Sequence, residues 1–249
     1  MRAERINGVG VEVHESVDGM MESAAGKLFT RLRRKSGSVI GLATGSTFIP
    51  FYKHVSARFR DEGVSFAEVK TFNLDEYYPI HAGSPDSYHS YMWRELFSNI
   101  DIREENAHLP DGSAQDPEAE SARYERSIAD SGGIDLQFLG LGGNGHIGFN
   151  EPGTPFSSRT HLTRLTQSTI DANRPLFSDP SNMPVSALTM GIGTIMDSSE
   201  ILLLAFGKGK AAAVAASLKG AVTEEVPASS LRRHGRAHFI IDEAAASGL

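Results

Sequence analysis

The sequence predicts an α/β fold of the Rossmann-like type, with a doubly wound, mainly parallel sheet and helices on both faces. Short apolar runs of strand length alternate with segments of helical periodicity along the 249 residues, which is typical of strand–helix–strand crossover units. Several runs are apolar at nearly every position, as expected for strands that helices cover on both sides. Hydrophobic residues make up 40% of the chain, enough for one sizeable core. We therefore expect residues 1–249 to form a single domain.

In the first 141 residues, apolar runs indicate strands, and apolar residues spaced by three or four indicate helices. The clearest helix is 16–34, where Met21, Ala25, Leu28 and Leu32 share one face. The other elements expected in this part are strands at 10–13, 38–43, 68–74 and 134–141, and helices at 46–60, 86–98 and 117–130.

The second half of the chain continues the alternation. Residues 159–166 alternate Thr, His and Arg with Leu, which indicates a strand at the edge of a sheet. The other elements expected here are a short helix at 168–176, strands at 186–190, 200–206 and 238–241, and a helix at 208–219. Ligands of open α/β sheets bind at the carboxyl ends of the strands, so we look for the functional site in the loops after strands.

Composition excludes several classes of function. The chain has no cysteine, which removes disulfides, thiolate nucleophiles and cysteine-ligated metal centres. Its formal net charge of −7 disfavours nucleic acid and anionic membrane as partners. No apolar run is longer than 201–206, which is far shorter than the roughly 20 residues of a membrane-spanning helix, and no apolar signal core follows the N-terminus. We expect a cytoplasmic protein that binds neither nucleic acid nor membrane.

The first candidate loop is 41–47, Gly-Leu-Ala-Thr-Gly-Ser-Thr, between a strand and a helix. Glycine allows a close approach of the backbone, and free amides at a helix N-terminus suit a phosphate group. The Gly-Lys-Ser/Thr ending of a nucleotide P-loop is missing. The local pattern fits an anion site and an ordinary capped turn equally well.

The second candidate loop, 71–78, places two adjacent carboxylates, Asp75 and Glu76, at the end of a strand. One of them could act as a general base whose pKa the other tunes. A helix-capping carboxylate or a solvated turn is the commoner explanation of such a pair.

The third candidate loop, 139–153, contains a G-x-G-x-x-G pattern at Gly140, Gly142 and Gly145. The context does not fit a dinucleotide site, because Pro152 and Gly153 prevent a long helix and no acidic strand end follows about 20 residues on. The zinc motif His-Glu-x-x-His is also absent, and the nine histidines are scattered. We therefore expect neither a nicotinamide cofactor nor a metal.

His146 is the most informative residue of that loop. It lies among glycines, with Asn144 two residues before it and Glu151 five residues after it. A histidine there has little core to pack against, which favours an acid–base role. A ring satisfied by backbone carbonyls is the alternative.

Together these loops resemble the glucosamine-6-phosphate deaminase (isomerase) family, in its short bacterial type, over nearly the whole chain. The matching strings are Leu-Ala-Thr-Gly-Ser-Thr at 42–47, Thr-Phe-Asn-Leu-Asp-Glu-Tyr at 71–77, Asn-Gly-His-Ile-Gly-Phe-Asn-Glu-Pro-Gly at 144–153, Ser-Arg-Thr at 158–160, Ala-Leu-Thr-Met-Gly-Ile at 187–192 and Val-Pro-Ala-Ser at 226–229. The string at 144–153 is the most specific, since the related 6-phosphogluconolactonases lack its Phe-Asn-Glu-Pro continuation.

The resemblance implies a reaction without a cofactor, in which glucosamine 6-phosphate and water give fructose 6-phosphate and ammonia. His146 would open the pyranose ring, and Glu151 would orient and tune its imidazole. Asp75 would take the proton from C2 and return it to C1. Many members have Asp where this chain has Asn144, which can hydrogen-bond His146 but holds no charge, so we expect His146 to depend more on Glu151.

The resemblance also implies a phosphate site and a mobile lid over about 165–185. The substrate-binding residues that it implies are Thr44, Gly45, Ser46, Thr47 and Lys210. Arg174 is the candidate from the lid, but it stands one position away from the family's arginine, so the sequence leaves its contact with the phosphate open.

Regulation and assembly are expected to be simple. The long, hexameric and allosterically activated members have a basic residue after Ser-Arg-Thr and a longer tail, whereas here His161 follows and the chain ends at Leu249. We expect no amino-sugar-phosphate activation of that type, and a monomer or small homo-oligomer.

Three alternatives to glucosamine 6-phosphate deamination remain. Galactosamine 6-phosphate differs only at C4 and is the rival substrate, although Thr-Phe-Asn-Leu-Asp-Glu-Tyr favours the gluco sugar. A 6-phosphogluconolactonase would use the same scaffold. A non-catalytic sugar-phosphate sensor would need a DNA-binding module, and residues 1–37 predict one helix and no helix-turn-helix.

Overall fold

The computed structural model describes all 249 residues. Its strands are β1 (Arg2–Ile6), β2 (Val9–His14), β3 (Val39–Leu42), β4 (Lys70–Asn73), β5 (Asp75–Tyr78), β6 (Ala107–His108), β7 (Leu136–Leu139), β8 (His161–Arg164), β9 (Ser186–Thr189), β10 (Ile201–Ala205) and β11 (Ala237–Asp242). Its α-helices are α1 (Val17–Arg34), α2 (Phe48–Glu62), α3 (Tyr88–Glu95), α4 (Pro117–Asp130), α5 (Gln167–Asn173), α6 (Ile192–Met196) and α7 (Ala211–Lys219).

The main sheet has eight strands in the order β1-β2-β11-β10-β7-β3-β4-β6. Only β1 is antiparallel to its neighbour, and the other pairings are parallel. The chain changes direction across the sheet at β3, which pairs with β4 on one side and β7 on the other. The predicted α/β class with a mainly parallel sheet is confirmed.

Helices cover both faces of this sheet, as predicted. Thr71 of β4 borders a small cavity with Phe51 and Val55 of α2, whereas the next residue, Phe72, packs edge-on against Tyr124 of α4. Successive residues of a strand point to opposite faces, so α2 and α4 lie on opposite sides. A core of 53 buried residues fills the space between sheet and helices.

A second, antiparallel sheet of three strands, β5-β9-β8, stands apart from the main one. The sequence predicts β8 and β9 as strands but not their separate sheet, and it does not predict β5. Asp and Glu are rare in strands, so the two carboxylates at the start of β5 do not indicate a strand in the sequence. A cluster of seven buried residues lies beneath this sheet: Tyr77, Phe149, Leu165, Ile170, Phe177, Met183 and Ala187.

Other differences from the predicted elements lie at polar or short segments. Strand β1 is mostly exposed and charged, and helix α6 has only five residues, so neither gives a clear periodic signal. The expected helix at 208–219 starts as a 3-10 turn at Lys208–Lys210. Residues 1–37 hold the single predicted helix, α1, after the predicted strand β2 and the unpredicted strand β1. No helix combines the length and the apolar character needed to cross a membrane.

Candidate active site

The loops that follow four neighbouring strands, β10, β7, β3 and β4, lie together at the carboxyl ends of these strands. They enclose a cleft of about 510 Å³ beside the point where the chain changes direction across the sheet, the usual ligand position in such folds. The predicted site residues that line it are Thr44, Gly45, Ser46, Thr47, Asp75, Asn144, His146 and Lys210. Glu151 lies directly behind them, whereas Arg174 is exposed and does not line the cleft.

The loop between β3 and α2 presents unused backbone donors to the cleft. Gly45 has a φ of +90°, and its carbonyl accepts hydrogen bonds from Phe48 N at 3.0 Å and from the Tyr91 hydroxyl at 2.8 Å. The N–H groups of Ser46 and Thr47 have no acceptor in the protein, and no side chain caps α2. A helix N-terminus with free N–H groups is a natural site for an anion.

Lys210 brings a positive charge to the same cleft. Burial lowers the pKa of Lys210, and no carboxylate lies within ion-pair distance of its ammonium group, unlike Lys27 and Lys35. It follows Gly207, whose φ is +86° and whose N–H donates to Asp242 Oδ1 at 3.0 Å. An anion in the cleft would therefore give Lys210 the partner that the protein does not supply.

The adjacent carboxylates Asp75 and Glu76 have different environments because alternate residues of β5 point to opposite sides. Glu76 is turned to the start of α3, where it accepts hydrogen bonds from the backbone N–H groups of Tyr88 and His89, each at 2.9 Å. It also accepts from Tyr77 N at 2.9 Å. Burial raises the pKa of Glu76 to about 7, against the lowering effect of these three donors. Glu76 is thus a buried helix cap.

Asp75 borders the cleft and is 6% exposed. Burial raises its pKa to about 8, and the neighbouring Glu76 adds to the rise. No protein group donates a hydrogen bond that would oppose this effect. Gly148 passes close to the carboxyl, since a Cβ at that position would lie 3.5 Å from Asp75 Oδ2. A carboxyl with a pKa near neutrality, open to a cleft, suits a general base.

The ring of His146 packs directly on Gly142. A Cβ at position 142 would come within 2.4 Å of three ring atoms, so only glycine fits beneath the imidazole. The ring's Nδ1 is buried and forms no hydrogen bond of normal geometry. The carboxylate oxygen that faces it is Glu151 Oε2, at a distance of 3.4 Å. Nε2 is therefore the nitrogen available to a ligand. The glycines of the dinucleotide-like pattern serve this turn, with Gly145 N donating to Gly142 O at 3.0 Å.

Glu151 is 5% exposed, and both of its carboxylate oxygens accept hydrogen bonds. Oε2 accepts from Asn144 Nδ2 at 2.9 Å, and Oε1 accepts from the hydroxyls of Thr166, at 3.0 Å, and Thr169. Although burial raises the pKa of Glu151, His146, Thr169 and Asn144 bring it down to about 2. Asn144 Oδ1 also accepts from His146 N at 3.2 Å, so one amide joins the carboxylate to the histidine's backbone.

Several residues of the site were not predicted individually from the sequence, among them Tyr88, Thr166 and Thr169. Tyr88 lines the cleft, and its ring is parallel to that of Phe149 at 6.1 Å. Thr166 and Thr169 reach Glu151 from α5. The helix-capping position of Thr166 is a sequence signal for a helix start but not for contact with a carboxylate 15 residues away. No three His, Asp or Glu side chains converge in a group that could hold a metal ion.

Comparison with known proteins gives the family. Residues 13–239 match the model of the family described as glucosamine-6-phosphate isomerases/6-phosphogluconolactonase. The chain belongs to this family. The resemblance of the three strand-end loops to it is therefore confirmed.

Within the family, the chain is similar to glucosamine-6-phosphate deaminases. That of Clostridioides difficile is 46% identical over 239 residues, covering 96% of each chain, and that of Shouchella clausii is 48% identical over 233 residues, covering 94% of each. The solved structure of a monomeric glucosamine-6-phosphate deaminase superposes with a TM-score of 0.94 at 42% identity, covering 96% of this chain and 99% of the other. A 6-phosphogluconolactonase from Trypanosoma brucei, with a TM-score of 0.74 and 22% identity, shares the fold.

Proposed function

We infer that this protein is a glucosamine-6-phosphate deaminase, an enzyme that converts glucosamine 6-phosphate and water to fructose 6-phosphate and ammonia. One observation carries the inference: Asp75 and the paired His146 and Glu151 flank one cleft, into which the free N–H groups at the start of α2 and the ammonium group of Lys210 also face. The reaction needs this combination, because it moves protons at two different parts of one phosphorylated sugar. The deaminases named above, at 46% and 48% identity, support the same function.

The phosphate group occupies the start of α2. The free N–H groups and hydroxyls of Ser46 and Thr47 donate to its oxygens, Thr44 and Gly45 shape the loop, and Lys210 neutralises charge. An anion there satisfies donors that have no acceptor in the protein. Because the phosphate is at C6, this contact places the sugar ring further along the cleft, toward Asp75 and His146.

His146 opens the pyranose ring. Its Nε2 moves a proton between the anomeric hydroxyl and the ring oxygen, while Nδ1 is turned to Glu151 at 3.4 Å. The ionised Glu151 stabilises the imidazolium that forms when Nε2 accepts a proton, and it holds the ring in one orientation. Asn144 fixes Glu151 without adding a second negative charge.

Asp75 carries out the carbon chemistry. In the open chain it removes the proton from C2 while one proton of the substrate's ammonium group passes to O1. It then returns the C2 proton to C1, so that C1 becomes a hydroxymethyl group and C2 becomes an iminium carbon. Water then adds at C2, and the nitrogen leaves as ammonia. The substrate's ammonium group at C2 lies next to this carboxyl and favours its ionised form, so substrate binding counteracts the pKa of about 8 in the free enzyme.

The segment 165–185 acts as a lid of the single catalytic domain. Ser168, Thr169, Ala172, Asn173 and Leu176 line the cleft, and Leu176 is 69% exposed. Because these residues form one wall of the cleft, a movement of this segment would change the access of the sugar phosphate to Asp75 and His146. Contact of Arg174 with the phosphate requires closure of this lid and stays a prediction.

The assay that tests the function measures ammonia release by purified protein from glucosamine 6-phosphate and galactosamine 6-phosphate, with 6-phosphogluconolactone tested in parallel as a third substrate. We expect release from the gluco sugar, with at least about tenfold higher kcat/KM than from its C4 epimer. The lactone contains no nitrogen, so its turnover is followed by acid formation. Preference for the galacto sugar would change the substrate assignment, and lactone hydrolysis without ammonia release from either sugar would refute deamination.

A further inference from the structure

The two carboxylate oxygens of Glu151 contact two different segments of the chain, the loop after β7 and the start of α5. Oε2 faces the strand-end loop, with Asn144 Nδ2 at 2.9 Å and His146 Nδ1 at 3.4 Å. Oε1 faces the start of α5, where it accepts from the hydroxyls of Thr166 and Thr169. Because a carboxylate is planar and rigid, the donors on Oε1 determine how Oε2 is aimed at the imidazole.

Thr169 is the stronger of the two donors on Oε1. It is buried, at 3% exposed, and its single hydroxyl proton is directed to Glu151. Thr166 is half-buried, lies 3.0 Å from Glu151 Oε1, and caps α5 by accepting from Thr169 N. Ser168, between them, bonds Thr166 instead. The proton of Thr169 thus serves Glu151 alone, whereas the single hydroxyl proton of Thr166 is shared between Glu151 Oε1 and the Thr169 hydroxyl, which lies 3.1 Å away.

Helix α5 contacts both the substrate space and the His146–Glu151 pair. Ser168, Thr169, Ala172 and Asn173 line the cleft, and Thr169 reaches Glu151 from the same turn. The apolar anchor of α5 is small, with Ile170 in the seven-residue cluster beneath the second sheet. The hydrogen bonds to Glu151 are therefore a substantial part of what holds this end of the helix.

We propose that Thr169 is a positioning residue, which holds Glu151 Oε1 so that Oε2 stays directed at His146 and thereby links the placement of α5 to the proton transfers of His146. The proposal rests on the proposed function for its catalytic consequence. The geometric part, that Thr169 aims Glu151 at Nδ1, is independent of the substrate.

Two variants and one control test the proposal. Thr169→Val keeps the shape of the side chain and removes the donor, and Thr169→Ser keeps the hydroxyl. Thr163→Val makes the same substitution in β8, where the side chain is half-buried and forms no hydrogen bond with Glu151. For ammonia release from glucosamine 6-phosphate, we expect kcat to fall about tenfold in Thr169→Val, because a displaced catalytic group loses alignment. KM should change less than about threefold, and the Thr169→Ser and Thr163→Val variants should stay within about threefold of wild type.

A double-mutant cycle separates positioning from mere structural support. If Thr169 acts through Glu151, the Thr169→Val substitution should lower kcat less than about twofold in a Glu151→Gln background. A further tenfold loss there would overturn the proposal, since the threonine would then act independently of Glu151. A loss in Thr169→Ser equal to that in Thr169→Val would also overturn it.

A spectroscopic readout needs no turnover. The ¹⁵N resonance of His146 Nδ1 reports its contact with Glu151, and we expect it to move in Thr169→Val toward its position in Glu151→Gln. It should stay unchanged in Thr163→Val. An unmoved resonance in Thr169→Val would overturn the proposal whatever the substrate. A moved resonance in an enzyme that releases no ammonia would support the positioning role and count against the proposed function alone.

Discussion

Asp75 illustrates at the scale of one residue how a functional group can oppose stability. Its carboxyl is buried beside a second carboxyl and has no protein donor to stabilise its charge. Such a group is protonated over most of the physiological range in the free protein and resists ionisation. The same features prepare it to accept a proton near neutrality once a cationic substrate lies beside it.

Replacement of this carboxyl should stabilise the protein and abolish its activity. Asp75 has an unfolded pKa near 3.8 and a folded pKa of about 8, so its contribution to the free energy of unfolding falls as pH rises between these values and is lowest above pH 8. Asp75→Asn does not titrate. Thermal unfolding should show it more stable than wild type by roughly a few kcal/mol at pH 8 and nearly equal at pH 4.

The control for Asp75→Asn is Asp61→Asn, at an exposed position on α2. It should change neither stability nor ammonia release. Asp75→Asn should bind sugar phosphate and release no ammonia. Turnover at the wild-type rate in this variant would contradict the proton-transfer role, and a stability difference that does not grow with pH would contradict the raised pKa.

At the scale of one element, Glu76 determines how α3 begins. The helix has eight residues and uses Ser87 as its own cap, with the side chain accepting from Ser90 N at 3.0 Å. Glu76, which lies in strand β5, accepts hydrogen bonds from the first N–H groups of the helix, those of Tyr88 and His89. This contact joins β5 to α3, and Tyr88 of that helix lines the cleft.

Removal of this cap should destabilise the protein. Glu76→Ala leaves buried N–H groups without an acceptor, and we expect the free energy of unfolding to fall by roughly 2–4 kcal/mol. Chemical denaturation at pH 7 measures the change. Glu118→Gln, at an exposed position in the first turn of α4, is the matched control and should stay within about 0.5 kcal/mol of wild type. Equal stabilities for the two variants would refute the capping role.

The predicted elements differ from those of the structure at polar segments, which lack the apolar pattern that indicates a strand. Strand β10 is apolar and buried throughout, so its strand character is evident from the sequence. Strand β5 starts with two carboxylates, and no periodic rule identifies it as a strand. Its pairing with β9 depends on a partner more than 100 residues away, which local patterns do not contain.

At the scale of the whole molecule, Arg159 of the Ser-Arg-Thr string holds three segments together. It bonds Glu125 of α4 at 2.9 Å and Asp197 after α6 at 2.6 Å, while Glu125 also accepts from Thr160 and Thr194. The guanidinium is thus engaged by two carboxylates of its own chain. An additional anionic ligand there would have to compete with both.

We propose that the enzyme acts as a monomer or small homo-oligomer without activation by amino-sugar phosphates. The solved structure that superposes with a TM-score of 0.94 is that of a monomeric deaminase. Initial rates against glucosamine 6-phosphate should be hyperbolic, with a Hill coefficient of about 1. N-acetylglucosamine 6-phosphate should leave kcat/KM unchanged. Sigmoidal rates, or a severalfold rise on its addition, would contradict the proposal, and sedimentation equilibrium measures the assembly state.

The sequence by itself determined the α/β class, most of the helices and the three strand-end loops that meet at the cleft. It did so because buried strands, helix periodicity and glycine-rich turns are local patterns. Only the tertiary structure decided what each polar residue does: Asp75 borders the cleft while Glu76 caps a helix, and Thr169 reaches Glu151 across 18 residues. These assignments depend on side-chain direction and on contacts between distant segments, and local patterns of residues along the chain do not reveal either.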